Sequence, residues 1–185
     1  MVSTTDTKKK ESKIQGIKVS HVEDVTKQLL EDSINTALEK VSRYNRNKSL
    51  EDLFQDHDFF EQFNYILSTK IAELFAQNDE RIQAVYQFGE SMNPGSESGE
   101  YLPIDPCVHL LCLVEKSSAG LKAYIDGLDR ALTKEMVDLP ASCYAKLSSV
   151  LDIIIITKED VQKRKGYASL LKSLHAPPLC VWRRD

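Results

Sequence analysis

A chain of 185 residues, 42% hydrophobic and 28% charged, is long enough for one domain with a substantial core and has the balance of an ordinary globular protein. Its formal net charge of −4 argues against a broad basic face for nucleic acid, although a local basic patch remains compatible with it. The longest apolar run, Ile153-Ile154-Ile155-Ile156 with Leu151 close by, is far too short to span a bilayer, so no membrane role is expected.

Residues 1–16 are rich in Thr, Ser, Lys and Asp with almost no apolar anchors. They read as a disordered tail, and 17–185 as a single domain. No apolar segment follows Lys8-Lys9-Lys10, as a secretory leader would require, so a cytoplasmic location is the default. Val22, Val25, Leu29, Leu30, Ile34, Ala37, Leu38, Val41 and Tyr44 then recur at helical spacing and predict a helix over 22–44. Ser49-Leu50-Glu51-Asp52 has the form of a helix start, with Asp52 at the capping-box position. A second long helix is expected over 58–77, with Phe59, Phe60, Phe63, Ile66, Leu67, Ile71, Leu74 and Phe75 as its stripe. Such stripes usually pack on each other and on a sheet; the alternative is a dimerising or partner-binding helical pair.

The pattern then changes to strands. Residues 84–88 are short, β-branched and aromatic, and 108–114 form a nearly continuous apolar run suited to a strand covered on both faces. Leu121, Tyr124, Ile125, Leu128, Leu132 and Met136 predict a helix over 118–136, closed by Pro140. Residues 150–157 make the strongest strand. Thr157 can cap a helix that runs towards Leu174 with a break at Gly166. Pro177-Pro178 ends it, and 179–182 suit an edge strand. The whole reads as an α+β (α/β-like) domain: a mixed sheet of about four strands covered by helices, with two N-terminal helices packed alongside.

Cys107, Cys112, Cys143 and Cys180 contain no Cys-x-x-Cys pair and read as buried, reduced thiols rather than a zinc site. Lys163-Arg164-Lys165 and Arg183-Arg184 read as solvated surface, with service to an acidic partner as the alternative. His57 and His175 are expected to be structural.

The segment between the first two strands carries the chemistry. Phe88-Gly89-Glu90-Ser91 opens a polar loop, Ile104-Asp105-Pro106-Cys107-Val108-His109 enters the second strand, and Asp152 lies on the third. Gly-Ser turns let backbone N–H groups and a hydroxyl approach phosphates. Acids on neighbouring strands can converge on Mg²⁺, which takes hard oxygen ligands. The loop over 92–103, with Gly95, Gly99, several serines, Glu97 and Glu100, has little apolar anchoring and is expected to be mobile.

On these residues the chain resembles the nucleotidyltransferase superfamily, the polymerase-β-like fold. The likeness lies in the hydrophobic-Gly-x-Ser opening and in the strand–loop–strand–helix–strand order across 84–157. It implies substrate binding at Gly89 and Ser91 and metal binding at Asp105 and Asp152. The family's Asp-x-Asp pair is missing: Cys107 stands two residues after Asp105, and setting the register by the apolar strand gives Cys107 and His109 instead. Glu90 adds a negative charge where phosphate would approach. The resemblance therefore implies a divergent member that has lost catalysis and binds a nucleotide or a protein partner. An active Mg²⁺-dependent nucleotidyltransferase and an unrelated α/β interaction module are the alternatives. Mg²⁺ is implied only in the enzyme reading; otherwise the cofactor, like the oligomeric state, is open. Asp105 before a proline also suits a plain turn, Asp152 a solvent face, and His109 a hydrogen-bonded core position.

Overall fold

A computed structural model describes residues 19–45, 48–89, 106–140, 144 and 146–185. Helix α1 spans Val19–Asn45, α2 Leu50–Phe54 and α3 His57–Asn78. Strand β1 spans Ile82–Gln87 and β2 Val108–Val114; α4, Ala119–Val137, leads to β3, Leu151–Thr157. Helix α5, Lys158–Lys163, and a 3₁₀ segment, Gly166–Lys172, precede β4, Leu179–Arg183.

The N-terminal helices use their stripes for the core. Leu29, Leu30 and Ala37 of α1 are buried, and so are Phe59, Phe63, Leu67, Ile71 and Phe75 of α3. Two polar residues on the buried face of α1 are satisfied by its own backbone: Thr26 Oγ1 donates to the Val22 carbonyl at 2.9 Å and Ser33 Oγ to the Leu29 carbonyl at 2.6 Å. The Ser49–Asp52 capping box forms as the sequence suggests. It starts a helix of one turn that turns Phe54 into an aromatic cluster, with ring centroids 5.3 Å from Phe59, 5.0 Å from Phe63 and 5.4 Å from Tyr144, all edge to face.

The sheet order is β3-β2-β1-β4. β1 runs antiparallel to both β2 and β4, whereas β2 and β3 are parallel, so α4 makes the crossover between them. Strand alternation divides the side chains between two faces. Val108, Leu110, Cys112 and Val114 join Val85, Leu151, Ile153 and Ile155 on the inner face, packed with α1, α3 and α4. Leu111, Leu113, Ile154 and Ile156 lie on the outer face under Val161, Ala168, Leu170 and Leu171.

Two expectations need correction. The helix after β3 stops at Lys163, before Gly166, because Arg164 adopts a left-handed φ of 52° as its C-cap. The chain then continues as a 3₁₀ segment rather than as α-helix. Cys180 is exposed and Cys107 half-buried, so of the described cysteines only Cys112 is a buried thiol; desolvation pushes it up to about 12. Arg183 and Arg184 are exposed, as expected, and Arg184 also holds backbone: Nε donates to the Ile82 carbonyl at 3.0 Å and Nη2 to the Ala76 carbonyl at 3.2 Å, while the guanidinium lies 5.3 Å from the Trp182 ring centroid. Residues 1–16, the 92–103 loop and Cys143 lie outside the described residues.

Candidate functional site

The parallel pairing of β2 with β3 sets His109 directly beside Asp152. Both fall on the outer face by alternation, before the point where the 3₁₀ segment covers it. His109 Nδ1 lies 3.0 Å from Asp152 Oδ2, and the side chains retain 24% and 54% of their accessibility. A carboxylate only accepts, so Nδ1 is the protonated nitrogen of this contact and donates to it. Asp152 thus faces solvent and is paired at once, and His109 is hydrogen-bonded but not enclosed in the core.

Gly89 completes the arrangement from the end of β1. Its φ is +115°, a backbone conformation that side-chain-bearing residues rarely adopt. A Cβ placed there would meet His109 Cδ2 at 3.2 Å. The preceding residue is tied to the same histidine: Phe88 N–H donates to the His109 carbonyl at 3.1 Å, and the two rings lie 5.6 Å apart. Tyr167 extends the row, 5.8 Å from Phe88 and 53% exposed. The chain therefore turns away from the sheet directly against an imidazole–carboxylate pair flanked by two aromatic rings.

Of the residues singled out in the sequence, Gly89 and Asp152 are brought to opposite sides of His109. Ser91 and Asp105 lie outside the described residues, as does Glu90. Cys107 does not face the pair through its thiol contact, which runs to the Ser149 carbonyl at 3.4 Å.

A group with no sequence signature positions this end of β3. Asp129 on α4 accepts from the Val150 and Leu151 N–H groups through Oδ1, at 2.9 and 2.8 Å, and from Ser149 Oγ through Oδ2 at 3.0 Å. Val150 N–H is also 3.2 Å from Thr133 Oγ1. These bonds satisfy the backbone donors where the chain enters the strand and fix Leu151, the residue before Asp152. Nothing in the amphipathic pattern of α4 separates Asp129 from any other polar residue beside the stripe. Tyr167 was equally silent, because its place depends on the left-handed turns at Arg164 and Gly166.

Among the described residues the donor set is not that of a two-magnesium centre, and Asp105, the other acid singled out, lies outside them. Mg²⁺ takes near-octahedral oxygen ligands, and imidazole nitrogen is a softer donor better matched to transition metals. Here one carboxylate stands in register with an imidazole, and among the described residues no group of three His, Cys, Asp or Glu side chains is placed to hold a metal ion. Among the same residues no helix is long and apolar enough to cross a membrane. Comparisons of the chain with protein-family models, curated proteins and solved structures gave no match.

Proposed function

We propose that this chain is a divergent nucleotidyltransferase-like protein that binds a nucleotide at the Gly89 end of the sheet and does not transfer it. The observation that carries the proposal is the His109–Asp152 pair at 3.0 Å. Two-metal phosphoryl chemistry needs anionic oxygens to offset two divalent cations about 4 Å apart. The imidazole in register with Asp152 donates to that carboxylate and occupies it. The order β1, β2, α4, β3, with Gly89 at the end of β1 against His109 and the acid-bearing β3 on the other side of that histidine, supports the resemblance. Tyr167, exposed beside the half-buried Phe88, offers an aromatic face for a base.

Calorimetric titration of the full chain with the four nucleoside triphosphates, in Mg²⁺ and in EDTA, tests this reading. Binding that persists in EDTA and weakens in Gly89→Val supports it. No heat with any nucleotide under either condition rejects the nucleotide and leaves a protein partner as the ligand. Binding that depends wholly on Mg²⁺ favours the enzyme instead.

A further inference from the structure

The two edges of the sheet are built differently. β4 is short and follows Pro177-Pro178; its ladder to β1 is irregular between Val85 and Tyr86, and it ends at Arg183. Shortness, proline, irregular pairing and charge are the devices by which edge strands discourage further pairing. β3 has neither proline nor irregular pairing and is longer, at 7 residues; its end amides are taken, Leu151 N–H by Asp129 and Thr157 N–H by Asp160, which leaves Ile153 and Ile155 as the open positions between them. Its ladder to β2 is regular from Val108↔Leu151 to Val114↔Thr157, and its sequence, Leu-Asp-Ile-Ile-Ile-Ile-Thr, contains no Lys, Arg, Pro or Gly. Ile153, Ile154 and Ile155 all keep partial exposure, and no described strand lies on the far side. Its one charged residue, Asp152, is engaged by His109.

We propose that β3 pairs with β3 of a second copy of this chain, antiparallel about a two-fold axis at Ile154, to form one continuous sheet. The strand's own sequence selects the occupant. Reversed on itself about Ile154, it sets Ile154 against Ile154, Ile153 against Ile155, Leu151 against Thr157 and Asp152 against Ile156. Opposite residues in an antiparallel pair share a face. The Ile154 pair therefore extends the outer apolar cluster, and the Ile153–Ile155 pairs extend the inner core. The two Asp152 carboxylates fall four positions apart, about 13 Å along the strand. An in-register parallel pairing would set them side by side, which is unfavourable. A two-fold pairing also closes: among the described strands it consumes both β3 edges and leaves the guarded β4 edges outside, whereas a head-to-tail pairing leaves an edge open to the next copy. The inference is independent of nucleotide binding.

Sedimentation equilibrium of the full chain across the micromolar range tests it, together with hydrogen exchange of the β3 amides at both ends of that range. The expected result is twice the chain mass, falling to the chain mass on dilution, with β3 amides losing protection in parallel. Ile154→Lys, which brings two ammonium groups together at the axis, should be monomeric with unchanged circular dichroism, whereas Leu179→Lys on β4 should stay dimeric. The exchange measurement on the wild type needs no variant and decides the matter should Ile154→Lys fail to fold. A wild type at chain mass throughout, a dimer that survives Ile154→Lys, loss of the dimer in Leu179→Lys, or β3 protection independent of concentration would overturn the proposal.

Discussion

The inner and outer faces of the sheet obey the same alternation and end up with different work. The inner face is covered along its length by α1, α3 and α4, with Leu110, Cys112 and Val114 fully enclosed. Among the described residues the outer face is covered by α5 and the 3₁₀ segment, over Leu111 and Ile156. Beyond that cover the strand positions are His109 and Asp152, polar and accessible. Residues on the inner face are therefore fixed by packing, and a change there is felt as lost stability. Residues at the accessible end of the outer face are fixed by register and by Asp129, and under the proposed function a change there is felt as lost binding. Folds commonly carry function in this way, on groups that packing does not need.

The largest effect should come from the inner side. Phe63 is fully buried and touches Phe54 and Phe59 through their rings. Phe63→Ala should cost about 3–5 kcal/mol, from lost transfer energy and the cavity left behind. Urea denaturation measures this, and a loss below about 1 kcal/mol would break the comparison, because such a core would not be close-packed.

The junction between the faces should come next. Asp129→Ala leaves the Leu151 N–H without that acceptor, while the Ser149 hydroxyl can still donate to the Leu151 carbonyl at 3.1 Å, and should cost about 1–3 kcal/mol, the range for an orphaned donor. Asp129→Asn, which keeps one acceptor oxygen, should lose less. If Asp129 positions Asp152 as argued, the alanine variant will also shift the His109 imidazole resonances in NMR spectra, a change that simple destabilisation of α4 does not produce.

Gly89→Ala tests the turn beside the site. A left-handed φ and a 3.2 Å approach to His109 oppose any side chain there, and the cost should be about 1–3 kcal/mol. Nucleotide affinity should fall along with stability, and a variant of unchanged stability and affinity would remove Gly89 from the account.

The smallest effects should be electrostatic. Arg81 donates to Asp79 through Nε at 2.7 Å and reaches the Ser118 hydroxyl of the α4 N-cap at 2.9 Å. The Arg81 hydrogen bond holds the Asp79 carboxyl below the usual carboxylate range, against the opposing effect of burial. A depressed folded-state value stabilises at pH above the ordinary carboxylate value and is lost as pH falls through the lower, folded one. Acid titration of Arg81→Met should therefore show a shallower fall in stability over that acidic window than the wild type, with little change in slope near neutrality. At the accessible end of the outer face, Asp152→Asn should change stability by less than about 1 kcal/mol, since the pair is largely open to solvent.

The fold was legible in the sequence where periodicity was strong. The stripes of α1, α3 and α4 gave both element type and core face, because burial along a helix repeats with its geometry, while the apolar runs of β2 and β3 gave element type alone. Ser49–Asp52 and Thr157 gave two helix starts through capping chemistry alone. The site was legible only in part. Asp152 stood out as an acid in an isoleucine run, and Gly89 as a glycine closing a strand. That His109 would sit beside Asp152 was not, because the register of a parallel pair is set across a crossover helix and leaves no local pattern. Asp129, Tyr167 and the carbonyl-binding role of Arg184 were hidden for the same reason: each acts on residues distant in sequence. The left-handed Arg164 contradicted the expectation that the break would fall at Gly166.

A transfer assay tests the central claim most directly. Wild type and Asp152→Asn, matched for folding, are incubated with Mg²⁺, labelled nucleoside triphosphates and a broad panel of hydroxyl acceptors. The pairing of His109 with Asp152 predicts no labelled product from either protein, although the wild type binds the nucleotide. Mg²⁺-dependent product from the wild type that disappears in Asp152→Asn would contradict the account and make this site an active nucleotidyltransferase.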